Sequence, residues 1–264
     1  MSKLKYCLII GNPLKKPRSV PIWNNFFKKK KIKLKMFEKD ISEKDFKKKI
    51  PQILKDPNFY ASAITMPYKK KILAYVYVKD KISRYSKSIN FIIKIKKKIY
   101  GYNTDVYGAL ETIKKRKKKN VLIFGYGGAG EAIFRCMYKI YPKTNFQVIT
   151  KKRNINGFRK ERVKFLNKID QSFLKISDLF INCSPLGSNL SQRFLNKTPL
   201  KKNHFKNINP NILIFDIVYK PSKTLLLKLC KNFSIKYLNG LKMNTVQAEK
   251  ALKIIHKNYK FNDN

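Results

Sequence analysis

Residues 121–134 read VLIFGYGGAGEAIF. The apolar run Val121–Phe124 has the length and composition of a buried strand, and it passes directly into Gly125-Tyr126-Gly127-Gly128-Ala129-Gly130 and then into a helical pattern. This is G-x-G-x-x-G in the strand–turn–helix setting that gives the motif its meaning. Gly125 permits a tight turn, and Gly127 lets backbone approach a pyrophosphate. The helix that opens at Gly128 and Ala129 offers free N–H groups to the anion. The chain has only 10 glycines, and four lie in these six residues, so composition does not explain the cluster. The reading is a dinucleotide site on an α/β fold.

Working outward, the next strand, FQVIT, ends at Thr150 and is followed by Lys151-Lys152-Arg153. Sites for NAD place an acid here to bind the ribose 2′-hydroxyl, whereas bases suit the 2′-phosphate of NADP. The basic run points to NADP.

Short β-rich runs alternate with lysine-rich segments of helical periodicity over the rest of the chain, the pattern of an α/β protein. Strands are expected at residues 6–11, 34–37, 61–66, 89–95, 99–102, 121–125, 146–150, 179–183, 212–218 and 235–238. Helices are expected at 21–30, 45–54, 69–76, 104–115, 128–141, 223–231 and 241–256. Two strand–helix blocks result, the first ending near Asn103.

The 264 residues include 61 Lys or Arg against 15 Asp or Glu, a formal charge of +46. Clustered bases would suggest a nucleic-acid surface. Here they are spread along the chain, in KKKKIKLK at 28–35, KKK at 69–71 and 96–98, and KKRKKK at 114–119, together with abundant Ile, Asn, Phe and Tyr. All these residues have A/T-rich codons, so a biased base composition accounts for the charge. A single lysine is therefore weak evidence and a well-placed acid is strong. A hydrophobic fraction of 43% supports real cores and excludes a wholly disordered basic protein. Cys7, Cys136, Cys183 and Cys230 lie far apart, with no metal-ligand spacing, and read as reduced thiols. No stretch reaches the ~18 apolar residues of a membrane span, and the short apolar run near Met1 does not read as a signal peptide. A cytoplasmic protein without metal is expected.

Eight segments, in order, resemble the shikimate dehydrogenase family: GNPLKKPRSVPIWNN (11–25), AITMPYK (63–69), SINF (88–91), GYNTDVYG (101–108), GYGGAG (125–130), INCSPLG (181–187), FDIVYKPSKT (215–224) and NGLKMNTVQA (239–248). The resemblance implies two α/β domains flanking a cleft. Residues 1–103 with 241–264 would bind shikimate, and residues 104–240 would form a Rossmann-like NADP domain. The last helix would pack back on the first domain, and closure would exclude water. It further implies reversible reduction of 3-dehydroshikimate to shikimate by NADPH, in a monomer or homodimer.

Reduction of a ketone by a nicotinamide requires a proton for the developing alkoxide. The resemblance assigns Lys69 as acid/base and Asp105 as the partner that orients substrate and keeps Lys69 poised. Read alone, Asp105 is also a candidate N-cap for the helix from Thr104. Ser19, Thr65, Asn90, Tyr219 and Gln247 match the family's substrate contacts, while Ile217 and Gly240 match the backbone that meets the nicotinamide. The family's Ser-x-Ser-Pro is reduced here to Ser19, with Arg18 beside it as a second candidate for the carboxylate. Ala63 and Phe91 stand where the family has Asn and Thr, and Lys151-Lys152-Arg153 where it has Asn-Arg-Thr. Two other functions are in view: a quinate/shikimate dehydrogenase using NAD, and a basic nucleic-acid-binding protein on a degenerate dehydrogenase scaffold. Non-specific contact with polyanions follows from the charge under any of them.

Overall fold

The alternation of side chains along a few short apolar runs builds the first of two sheets. The computed structural model describes residues 5–262. The first sheet consists of β1 (Tyr6–Gly11), β2 (Lys35–Asp40), β3 (Phe59–Ile64), β4 (Tyr77–Val78), β5 (Phe91–Ile95) and β6 (Lys98–Tyr102), in the order β2-β1-β3-β5-β6-β4. β1 is parallel to β2 and β3, and β5 is antiparallel to β3 and β6. Cys7, Ile9, Ala61, Phe91 and Ile93 point to one face, where they meet Trp23 and Phe27 from the helix Ser19–Lys29 and Leu252 and Ile255 from the helix Leu241–Asn262. Leu8, Ile10, Ile64 and Ile92 point to the other, against Phe46, Ile50 and Tyr68. The period of two thus places a separate core on each face. Full burial of each large apolar side chain contributes about 1.5–3 kcal/mol. The C-terminal helix packs on the first sheet, as expected.

The second sheet contains β7 (Asn120–Phe124), β8 (Asn145–Ile149), β9 (Val163–Leu166), β10 (Leu179–Asn182), β11 (Leu213–Asp216) and β12 (Lys236–Leu238). All its pairings are parallel, in the order β12-β11-β10-β7-β8-β9. Leu122, Phe180 and Ile214 pack on Leu226, Leu229 and Cys230 of the helix Leu225–Asn232. This is the doubly wound order of dinucleotide-binding sheets, and the strand order reverses between β7 and β10.

Two compact units contain these sheets. One runs to Tyr107 and takes up the chain again from Val246; the other is Gly108–Thr245. Both changes of unit fall inside helices, Thr104–Thr112 and Leu241–Asn262.

The structure corrects several expected elements. The helix expected over 69–76 is a 3-10 helix at Lys71–Tyr75, because the carbonyl of Lys69 accepts from the Ile89 N–H at 2.7 Å and does not open a helical ladder. β4 and β9, and the short helices Lys81–Ser86, Gln171–Ile176, Gln192–Leu195 and Lys202–Phe205, were not anticipated. Among the described residues, six other than glycine adopt positive φ: Lys16, Lys31, Lys87, Lys96, Asn154 and Ser234. Lys87 ends the helix Lys81–Ser86 in this conformation.

Candidate active site and nucleotide site

In the first unit, the ends of β1 and β3 are tied together. The Asn12 N–H donates to the Met66 carbonyl at 3.0 Å and the Thr65 N–H to the Ile10 carbonyl at 2.9 Å. Gly11 is required at this junction, since a Cβ there would meet Thr65 Cγ2 at 2.3 Å. The chain then turns through Pro67, and the Tyr68 N–H closes the turn on the Thr65 carbonyl at 2.9 Å. Tyr68 is fully buried and stacked on Phe46, which anchors the residue next to Lys69.

Lys69 Nζ donates to Asp105 Oδ2 at 2.5 Å, and both side chains are partly open to solvent, at 31% and 27% exposure. Asp105 occupies the first turn of Thr104–Thr112 without capping it. That task falls to Asn103, whose Oδ1 accepts from the Val106 N–H at 2.9 Å. Asn103 Nδ2 donates to the Ser88 carbonyl at 2.9 Å and reaches the Ser88 and Ser86 hydroxyls. Asn90 Oδ1 accepts from the Thr104 N–H at 2.6 Å and Asn90 Nδ2 donates to Thr104 Oγ1 at 3.0 Å. The Thr104 hydroxyl in turn donates to Gln247 Oε1 at 3.2 Å. The structure therefore gathers Lys69 with Asp105, and Asn90 with Gln247 through Thr104. Thr104 was missed by sequence reasoning, although it stands inside the N-T-D triplet.

Ser19 opens the helix Ser19–Lys29 and Thr65 follows directly on β3, but neither side chain bonds to the Lys69–Asp105 pair among the described residues. Ala63 and Phe91, two departures from the resembled pattern, are cross-strand partners in the β3–β5 register. The Phe91 ring is buried 5.8 Å from Trp23, so one small and one large residue share the space.

In the second unit, Gly125 has φ +98°, and a Cβ would meet the Ser184 N at 2.9 Å. A Cβ on Gly130 would meet the Gly125 carbonyl oxygen at 2.0 Å, which packs the helix Gly128–Ile140 close to β7. Gly127 and Gly128 differ: no atom lies within 4 Å of a Cβ built there. With Ala129 they are exposed, and no side chain caps this helix. The arrangement leaves open backbone N–H groups where a pyrophosphate would sit, and so fits a dinucleotide.

Beyond β8, Thr150 Oγ1 accepts from the Lys152 N–H at 3.0 Å and shapes the turn. A cavity of about 750 Å³ is lined by Thr150, Lys151, Lys152, Arg153, Asn154 and Lys168, with Phe165 and Leu166 as apolar wall. Its charge suits a phosphate and its wall a base. At the end of β11, the Ile217 N–H donates to the Asn182 carbonyl at 3.1 Å, and Gly240 approaches so closely that a Cβ would lie 2.0 Å from the Ile217 carbonyl oxygen. Tyr219 follows in the same segment, half-buried.

Asp216 was missed as well. Its carboxylate is fully buried and accepts from Asn182 Nδ2 at 2.9 Å, the Val218 N–H at 3.1 Å and the Thr224 hydroxyl at 2.7 Å. Burial nonetheless pushes its pKa up from 3.8 to about 6. The same surroundings push the buried Cys183 thiol up, as befits a packing residue. Among the described residues, no group of three or more His, Cys, Asp or Glu is placed to hold a metal, and no helix is long and apolar enough to cross a membrane.

Residues 9–92 match the model of the shikimate dehydrogenase substrate binding domain. Over 257 residues the chain is 30% identical to shikimate dehydrogenase (NADP(+)) of Clostridium botulinum, covering 92% of this chain and 93% of that one. The protein of the same name from Clostridium beijerinckii is 30% identical, with 93% and 90% covered. A crystal structure of shikimate 5-dehydrogenase from Listeria monocytogenes, in complex with shikimate and NAD, superposes with a TM-score of 0.81 at 20% identity, covering 97% of this chain and 93% of that one.

Proposed function

Because the chain belongs to the shikimate dehydrogenase family and is an NADP-dependent shikimate dehydrogenase, we propose that Lys69 and Asp105 carry its proton chemistry. The reaction is the reversible reduction of 3-dehydroshikimate to shikimate by NADPH, a step toward chorismate and the aromatic amino acids. The observation that carries the assignment is the 2.5 Å contact between Lys69 Nζ and Asp105 Oδ2.

NADPH supplies the hydride. As charge develops on the substrate oxygen, the Lys69 ammonium stabilises it and transfers a proton to it; in the reverse direction the Lys69 amine takes that proton back. Asp105 holds the ammonium in place and accepts from a neighbouring substrate hydroxyl. Ser19, Thr65, Asn90, Tyr219 and Gln247 are the proposed uncharged contacts to the ring and its carboxylate, with Arg18 supplementing Ser19. Asn90 has one Nδ2 hydrogen left for this after bonding Thr104. Gly125, Gly127, Gly128 and Ala129 would receive the pyrophosphate, Thr150, Lys151, Lys152 and Arg153 the 2′-phosphate, and Ile217 and Gly240 the nicotinamide amide. The substrate domain is taken as residues 1–103 with 241–264, and the nucleotide domain as 104–240.

Four free, buried cysteines support a reducing, cytoplasmic setting. We read the charge of +46 as the trace of an A/T-rich coding sequence, with weak polyanion contact as its by-product in a monomer or homodimer.

The test is loss of NADPH absorbance on addition of 3-dehydroshikimate, run beside NADH and with Lys69→Ala and Asp105→Asn. Each variant should lose about 10²–10⁴-fold in kcat with NADPH affinity unchanged. Full turnover in either folded variant would refute its assignment.

A further inference from the structure

One acid that the reaction leaves unused stands inside the nucleotide site. Glu131 lies in the first turn of Gly128–Ile140, the end of the helix that favours an anionic ligand, and its side chain is only 9% exposed. Arg135 Nε donates to its Oε1 at 2.9 Å. Lys152 Nζ lies 3.8 Å from its Oε2 and 5.4 Å above the Tyr126 ring, which is itself wedged against Phe134 and Phe165. Lys152 also lines the basic cavity beyond β8 together with Lys151 and Arg153. It is the base of that run that an ion pair draws toward a carboxylate.

We propose that Glu131 is a positioning residue that sets cofactor selectivity by holding the Lys152 ammonium against its own carboxylate. This rests on the reading that residues 151–153 meet the 2′-phosphate. A phosphate dianion and the Glu131 carboxylate then compete for one ammonium. NADPH must draw Lys152 off Glu131 to use it, whereas NADH, which lacks the phosphate, leaves the pair intact. Glu131 is thus a brake on NADPH binding that NADH does not feel. The Lys152 side chain is 56% exposed, so the brake is modest, equivalent to about two- to five-fold in affinity.

The experiment measures NADPH and NADH binding to the purified full chain by fluorescence, in the parent, Glu131→Gln, Lys152→Met and the double variant. Glu131→Gln should tighten NADPH about two- to five-fold and leave NADH unchanged. Lys152→Met should weaken NADPH, and adding Glu131→Gln to it should change nothing further. Unchanged or weaker NADPH binding in Glu131→Gln overturns the proposal, as does tightening that persists without Lys152, which would mean that the charge acts directly. If Lys152→Met leaves the NADPH to NADH ratio unaltered, the placement of the 2′-phosphate fails and the proposal with it. Should Glu131→Gln not fold, Glu131→Asp, which draws the carboxylate back by one methylene, must show the same gain in NADPH affinity.

Discussion

The side-chain oxygen of Asn103 accepts the Val106 N–H at 2.9 Å, and this bond leaves the carboxylate of Asp105 to Lys69. A helix N-terminus competes for any nearby acceptor. Had Asp105 capped the helix, Lys69 would lack its partner. Because Asn103 Nδ2 also donates to the Ser88 carbonyl and hydroxyl, Asn103→Ala removes a cap and takes a donor from the buried Ser88 at once, while the Ser86 hydroxyl keeps its bonds to the Ser83 and Ser88 carbonyls. We expect a loss of about 2–3 kcal/mol in unfolding free energy by urea titration. A loss below about 0.5 kcal/mol would show that another group takes over the cap.

Gly127 and Gly130 separate what the motif does for the ligand from what it does for the fold. Gly127→Ala meets no protein atom and should change stability by less than about 0.5 kcal/mol, yet place a methyl where the pyrophosphate approaches. NADPH affinity should fall at least about ten-fold, since the backbone donors lose reach. Gly130→Ala, with the Gly125 carbonyl in its way, should cost about 1–3 kcal/mol. Calorimetric melting and NADPH titration on both variants decide it; equal destabilisation would contradict the geometry.

Asp216 gives the fold a pH dependence of opposite sign to that of a salt-bridged acid. Its pKa rises from 3.8 in an unfolded chain to about 6 here, so between these values the folded state holds more of the proton than the unfolded one. This contribution to stability is fully present below about pH 4 and is lost as pH rises through 6. Asp216→Asn keeps acceptor capacity toward Asn182 and Val218 without a charge to bury. Relative to the parent, the variant should gain up to about 2–3 kcal/mol between pH 4 and 7 by urea unfolding. A difference that stays constant over that range would show that Asp216 is ionised without penalty.

A chain of charge +46 repels itself, and salt screens repulsion over about 10 Å at 0.1 M. The melting temperature should therefore rise from low to moderate sodium chloride concentration. No rise would mean that the 15 acids are placed well enough to neutralise the local field.

Much of this was legible in the residues for physical reasons. β7 and its helix could be read because four glycines in six residues are improbable in a glycine-poor chain, and Asp105 stood out because acids are rare. The same rarity could have flagged Glu131 and Asp216, which went unread. β4 and the four short helices are too brief to show a period, and β9 carries a solvent-facing Lys164 among few apolar residues. The 3-10 segment at 71–75 looked helical because Tyr68 and Ile72 are both buried, four apart; the hydrogen bond from Ile89 that prevents an earlier start comes from a strand remote in sequence. Thr104 is invisible for the same reason, since its role depends on Asn90 and Gln247 arriving from either side.

The left-handed residues carry a further meaning. Lys16, Lys31, Lys87 and Lys96 occupy conformations in which glycine is at ease and an L side chain costs about 1–2 kcal/mol. At Gly11, Gly130 and Gly240, by contrast, a side chain would collide within 2.3 Å of its neighbours. A left-handed lysine is thus a tolerable torsion, whereas a side chain at these three glycines is a hard-sphere overlap. Gly11, Gly130 and Gly240 mark where the backbone has no alternative, whereas Gly127 and Gly128 stand open on the side of the ligand.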